Sequence, residues 1–357
     1  MANTRVTTPV TDFDKSTSLP GLKIPSGDNS NQPAGANAAQ GMIRNDTEET
    51  VDSSASAITH YNGTNWQYFA ATESADPING YYLVVAGGGG TAYGGGGAGG
   101  YLTNIGGTSI VLEKAITYTV TVGVGGVSRP GSNQPGGNGD PSEFSGTGIT
   151  TITAAGGGGG NDANAGVSGG SGGGGGYLTS SGGTGNTPAT TPSQGNNGGN
   201  GMGAGSQFAA GGGGGAFEAG ENGNATSTTL GSNGGDGLEN NITGTPTYYA
   251  GGGAGLKYYS GSNYVPTAGG QGGGGSGLGG PGGGGPGGTD GLGGGGGGFV
   301  STGGSGVVII KYPTANNITI ASGTSPVAAD LNATVAGSTT EKFTRFTATG
   351  AVTFTIS

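Results

Sequence analysis

Cysteine is absent from the 357 residues, so neither a disulfide framework nor a cysteine-based metal centre can hold this chain together. Charge is scarce at 8% of residues, against roughly 25% in ordinary domains, and with glycine and proline making up about a third of the chain an ordinary two-domain enzyme is excluded. There is one histidine, His60, so a triad or histidine metal site would need all its other members from carboxylates or hydroxyls. Gly-Lys-Ser and Gly-Lys-Thr do not occur, which excludes a P-loop. No apolar run approaches the roughly 18 residues of a membrane-spanning helix. The opening MANTRVTTPVTDFDK has no apolar run of signal-peptide length, so folding in a cytoplasm is expected. The net charge of −10 argues against nucleic acid and anionic membrane as partners.

What fills the chain is glycine, 94 residues of it, with 16 prolines. The glycines come in runs and never keep the strict repeat of a collagen triple helix. Residues 87–306 hold 85 of them, against 6 in 1–86 and 3 in 307–357. Four times an apolar or aromatic stretch ending in alanine leads into a run: Leu83–Ala86, Ile152–Ala155, Gln207–Ala210 and Thr247–Ala250. The alanines are 69, 55 and 40 residues apart, which suggests one architectural unit reused with loops of different length. Gly-Gly-Tyr-Leu-Thr also occurs twice, at 99–103 and 175–179.

Strand signals lie at the edges of the runs. Tyr81–Ala86 is continuously apolar, Ile116–Val122 and Ile149–Thr153 alternate, and Val307–Tyr312 reads as a buried strand. FTRFTATGAVTFTI at 343–356 reads as a hairpin turning at Thr349-Gly350. Glycine costs about 1 kcal/mol per helical position relative to alanine, so no helix is expected. A run such as Gly293–Gly298 is either a flexible spacer or a rod in a bundle of extended, three-residue-per-turn polyglycine II helices. A plain spacer has no need of recurrent strand junctions, which favours the ordered bundle.

Candidate chemistry is sparse. The pairs Asp140/Glu143 and Asp236/Glu239 read as solubilising charges, and Gly136–Asp140 only half resembles a calcium-binding repeat. No catalytic residue, metal site or cofactor is expected. The distinctive residues are aromatics between runs: Tyr93, Phe217, Tyr258, Tyr259 and Tyr264, with Asn222, Asn224, Asn233, Asn240 and Asn241 nearby. Tyrosine offers rigid contact area with a polar tip, and asparagine offers adaptable hydrogen bonds. These residues either contact a ligand or cap the ends of the rods.

The stretch Leu22–Ala70 resembles a module found in structural and tail-fibre proteins of marine bacteriophages, through Ile24–Gly27, Gly41–Arg44 and Tyr61–Trp66. The body resembles the glycine-rich domain of phage tail-fibre adhesins, through YYLVVAGGGG at 81–90, ITAAGGGGG at 152–160 and SGVVIIKYP at 305–313. The resemblance implies a mainly non-helical protein: a small N-terminal β module, a polyglycine II sandwich with short flanking strands, and a C-terminal β-hairpin. It implies an arm at 1–20, the module at 21–80, the sandwich at 81–312 and a β segment at 313–357. It further implies a non-enzymatic virion protein of the tail fibre or tail tip, assembled in the host cytoplasm. Its partners would be other tail proteins and a host surface receptor, a glycan or outer-membrane protein. A homotrimer is expected, with Tyr61 and Trp66 as core or subunit-interface aromatics. A purely structural role, as fibre shaft or capsid decoration, is the alternative. Ice binding is a third reading, disfavoured by the irregular spacings.

Overall fold

The computed structural model describes residues 78–129, 134–204, 207–226, 232–260, 263–277, 285–323 and 330–357, plus four strands nearer the N-terminus. The chain divides into two compact units, Met1–Ser74 and Ala75–Ser357. In the first, β1 (Ser26–Gly27), β2 (Ile43–Thr50), β3 (Ser56–Tyr61) and β4 (Trp66–Tyr68) form one sheet in sequence order. β1 and β2 are parallel, the other pairs antiparallel, and Tyr61 stands in register opposite Trp66. The side chains of Tyr61 and Trp66, and the arm at 1–20, lie outside the described residues.

The second unit begins with β5 (Ile78–Val85), β6 (Tyr101–Thr103), β7 (Ile110–Leu112), β8 (Thr117–Val122), β9 (Ser142–Gly146) and β10 (Ile152–Ala154). Then come β11 (Met202–Ala204), β12 (Gln207–Ala209), β13 (Leu238–Asn240), β14 (Thr247–Tyr249), β15 (Lys257–Ser260) and β16 (Asn263–Tyr264). It closes with β17 (Val307–Pro313), β18 (Ile318–Gly323), β19 (Ala333–Thr334), β20 (Glu341–Phe346) and β21 (Gly350–Ile356). Helices are absent among the described residues, and nearly every strand pair is antiparallel.

Two sheets make the apolar core. One has the order β19-β20-β17-β5-β6, with β7 also on β5; the other has the order β10-β9-β8-β21-β18. The continuous apolar runs of β5 and β17 are explained by their central position, since both faces are covered. Val84, Val308, Ile310 and Phe346 pack against Tyr118, Val120, Phe144 and Phe354 of the opposing sheet. Leu83, Val85, Val307 and Ile309 on the reverse face pack against Ile242, Tyr249 and Phe343. Within this double layer the expected C-terminal hairpin does not form. β20 pairs with β17 and β19, whereas β21 pairs with β8 and β18. Thr349-Gly350 therefore turns the chain from one sheet to the other. The reason is burial: the arch lets Phe346 and Phe354 meet across the sandwich, ring centroids 5.5 Å apart, where a hairpin would lay both strands in one sheet.

All four alanine junctions are strand ends, where β5, β10, β12 and β14 pass into glycine runs. The runs bond one another through their backbones with a repeat of three. From 94 to 100, Gly94, Gly97 and Gly100 donate to the carbonyls of Asn161, Gly158 and Ala155. Gly95 and Ala98 donate to Gly211 and Gly214, and Gly96 and Gly99 to Gly296 and Gly293. Carbonyls of the same run accept from three further runs: Gly97 O from Gly89, Gly95 O from Gly174, Gly96 O from Gly253. This run is thus enclosed all round by 87–91, 155–161, 170–176, 211–216, 251–256 and 293–298. Run 211–216 repeats the pattern, with Gly211/Gly214, Gly212/Gly215 and Gly213/Ala216 each serving one neighbour. An α-helix would repeat at 3.6 and a strand at 2; three is the period of an extended polyproline II-type helix.

Glycine is required here by closeness. An added Cβ at Gly95 would overlap the Gly253 carbonyl, and one at Gly96 the Gly89 carbonyl. Runs at the bundle's periphery need glycine only where they face a neighbour, so other residues appear at every third position. Val124 and Val127, Asn197 and Asn200, and Asn233 and Asp236 are such pairs.

Candidate functional site

Run 86–91 leaves β5 and ends at Tyr93, so Tyr93 lies at the far end of the bundle from the two sheets. Other runs stop at the same level. Tyr93 and Gly94 N–H donate to Asn161 O, Tyr177 N–H to Asp162 O, Leu256 N–H to Tyr93 O and Ala210 N–H to Leu256 O. The aromatics at those stops therefore converge. Tyr93 meets Tyr177 at 5.2 Å, Phe208 at 5.8 Å and Phe299 at 5.0 Å between ring centroids. Phe208 meets Tyr177 at 5.2 Å and stacks on Tyr258 at 5.3 Å, and Tyr258 meets Tyr264 at 5.3 Å. All six rings are half-buried. Edge-to-face and offset pairs of this kind add about 0.5–1.5 kcal/mol each beyond their burial.

The cap rests on a small sheet of order β11-β12-β15-β16, with Phe208 opposite Tyr258 in register. Around it stand exposed apolar side chains: Leu178 beside Tyr177, Val300 beside Phe299, and Met202 on β11, 60%, 44% and 41% exposed. Beneath it Lys257 is 1% exposed. Burial lowers the pKa of this ammonium, and the Glu221 carboxylate opposes the shift. Burial raises the Tyr93 phenol, aided by the charge of Asp162.

Of the sequence-predicted residues, Tyr93, Tyr258 and Tyr264 come together here. The side chain of Tyr259 lies outside the described residues. Phe217 does not join them. Run 211–216 starts at the cap and ends at the sheets, where Ala216 N–H donates to Ala250 O, so Phe217 is exposed at the opposite end. Sequence reading missed Tyr177, Phe208 and Phe299, each adjoining a glycine run at this level. The repeated Gly-Gly-Tyr-Leu-Thr misleads, because Tyr101 opens β6 at the sheet end while Tyr177 belongs to the cap.

The asparagines have another role. Asn222 Oδ1 accepts from Asn200 N–H at 2.7 Å, and Asn233 Oδ1 from Ala268 N–H at 2.8 Å. Asn240 is buried, its amide donating to the Tyr101 hydroxyl at 2.7 Å. Asn224 Oδ1 accepts from Thr226 N–H within its own loop. These amides serve the fold.

A strand-capped bundle of backbone-bonded glycine runs defines the class of protein. The sequence profile described as "Glycine-rich domain" matches residues 62–313, and the chain belongs to that family. No curated protein and no solved structure matches it.

Proposed function

We propose that this chain is a non-enzymatic adhesin of a bacteriophage tail fibre or tail tip, with the aromatic cap contacting a receptor on the host surface. In this reading the runs are a polyglycine II sandwich, a reading supported by the repeat of three in their bonding and by the carbonyl met by each added Cβ. The observation that carries the function is the apolar rim of Leu178, Met202 and Val300 around clustered rings, at the end of the unit opposite β5, where the chain enters. Exposed apolar groups gathered round a cluster of aromatic rings at one tip support an interaction site there. A rigid support lets binding proceed without ordering cost, and several copies on one particle multiply a modest single-site affinity.

The test replaces the rim and leaves the rings intact. Leu178→Asp, Met202→Asp and Val300→Asp together are expected to lower binding of the full chain to host cells by more than tenfold, with an unchanged thermal midpoint. Candidate hosts are a panel of marine bacteria. Undiminished binding at an unchanged midpoint would exclude the cap as the contact surface. It would favour a structural virion role, in which the rings act only as a plug on the rod ends.

A further inference from the structure

Peripheral runs pose a problem that the interior ones do not. Each has backbone N–H groups with no run beyond to accept from them, which is how an exposed sheet edge recruits another chain. In run 181–187, Gly183 and Asn186 donate to Gly173 and Gly170 of the neighbouring run. Gly182 and Gly185, three residues apart, find side-chain acceptors instead: Asn200 Oδ1 at 2.9 Å and Asn197 Oδ1 at 2.9 Å. The same device recurs along run 268–271. Ala268 N–H donates to Asn233 Oδ1 at 2.8 Å, and Gln271 N–H to Asp236 Oδ1 at 2.7 Å. In both cases donors three apart meet acceptors three apart, so short Asn and Asp side chains supply the carbonyls that a further run would have supplied.

Run 123–129 uses a second device. Its outward pair is Val124 and Val127, 49% and 53% exposed. Runs pack so closely that a Cβ at Gly95 would overlap a carbonyl. A branched side chain at each outward position therefore holds any added run beyond bonding distance.

We infer that the outward third residues close the bundle against lateral addition of a glycine run from a second copy of this chain. Asn197, Asn200, Asn233 and Asp236 do so by occupying the free donors, and Val124 and Val127 by bulk. This inference stands apart from the adhesin reading, because it concerns the sides of the bundle and not its cap.

The experiment uses the full chain and sedimentation velocity over a hundredfold concentration range. Asn197→Gly with Asn200→Gly is one variant, Val124→Gly with Val127→Gly a second on a different run, and Asn197→Asp with Asn200→Asp the control that keeps an acceptor. Each is first matched to the unsubstituted chain in far-ultraviolet circular dichroism. Either glycine variant is expected to form larger species that grow with concentration and dissociate on dilution, while the aspartate variant sediments as the unsubstituted chain does. Unchanged sedimentation of the folded glycine variants would overturn the inference, and so would equal association of the aspartate variant.

Discussion

Substituting Gly95 by alanine isolates what the bundle is made of. In most settings Gly→Ala at a compatible backbone stabilises by about 0.4–1 kcal/mol, because the unfolded chain loses freedom. Here the new Cβ would overlap Gly253 O, with the carbonyl carbon of Ala254 also too close. Ordinary carbon-to-oxygen contact begins near 3.3 Å, so runs 94–100 and 251–256 must part by on the order of 1 Å. Two bonds hold that seam, Gly253 N–H to Gly96 O at 2.9 Å and Leu256 N–H to Tyr93 O at 2.8 Å. Each weakened bond costs about 0.5–1.5 kcal/mol, and each buried group left unpaired about 1–3 kcal/mol. After the unfolded-state gain is subtracted, a loss of about 3–5 kcal/mol is expected. Gly107→Ala is the matched comparison, because its added Cβ would meet only Asn104 O at an ordinary 3.5 Å. That variant is expected to be neutral or more stable by up to about 1 kcal/mol. Denaturant titration of both, with the slope checked for constancy, gives the difference. Equal stabilities for the two variants would refute close packing of backbone against backbone.

Two further outcomes follow from single side chains. Tyr312 is 1% exposed, and its hydroxyl shares hydrogen bonds of 2.7 Å with Asn332 Oδ1 and with the Thr344 hydroxyl. Burial pushes its pKa up to about 12, while its unfolded value stays at 10.0. The folded state therefore holds the proton more tightly, so this stability is full below pH 10 and is lost as pH rises towards 12. Unfolding midpoints measured from pH 9 to 12 should fall, and Tyr312→Phe should flatten that fall; an equal slope in the variant would assign the loss to other groups. Ser171 is fully buried, and its hydroxyl has no hydrogen-bond partner. Ser171→Ala should gain on the order of 1 kcal/mol in denaturant titration, and a loss would mean that the hydroxyl is satisfied in solution.

Local signals carried much of this fold, and long-range pairing carried the rest. Val307–Tyr312 and Ile116–Val122 read as strands because their apolar residues are continuous or alternate, and that pattern is decided within a few residues. The alanine junctions were visible because a run cannot start until the strand's side chains stop. By contrast, 343–356 alternates in a manner that fits a hairpin or an arch equally well, and only the opposing faces of two sheets chose the arch. The cap was half legible. Tyr93 and Tyr258 stood out as aromatics between runs, but Tyr177 and Phe208 join them only because their runs end at one level. Phe217 looked equivalent until the direction of its run was known. The asparagines carried a readable signal, their spacing of three at 197 and 200, which marks one outward line on a three-residue turn.

The repeat of three also sets a rule for changes of length. In the polyglycine II reading each residue turns a rod by about 120°, so one inserted residue swings every later donor from its partner to the next rod round. Two do the same in the opposite sense, whereas three restore the facing and merely slide the rod along its axis. Additions at the tips, outside the bonded stretches, disturb none of this. A molecule built this way can lengthen or exchange its tip segments freely while its shafts change length only in triplets.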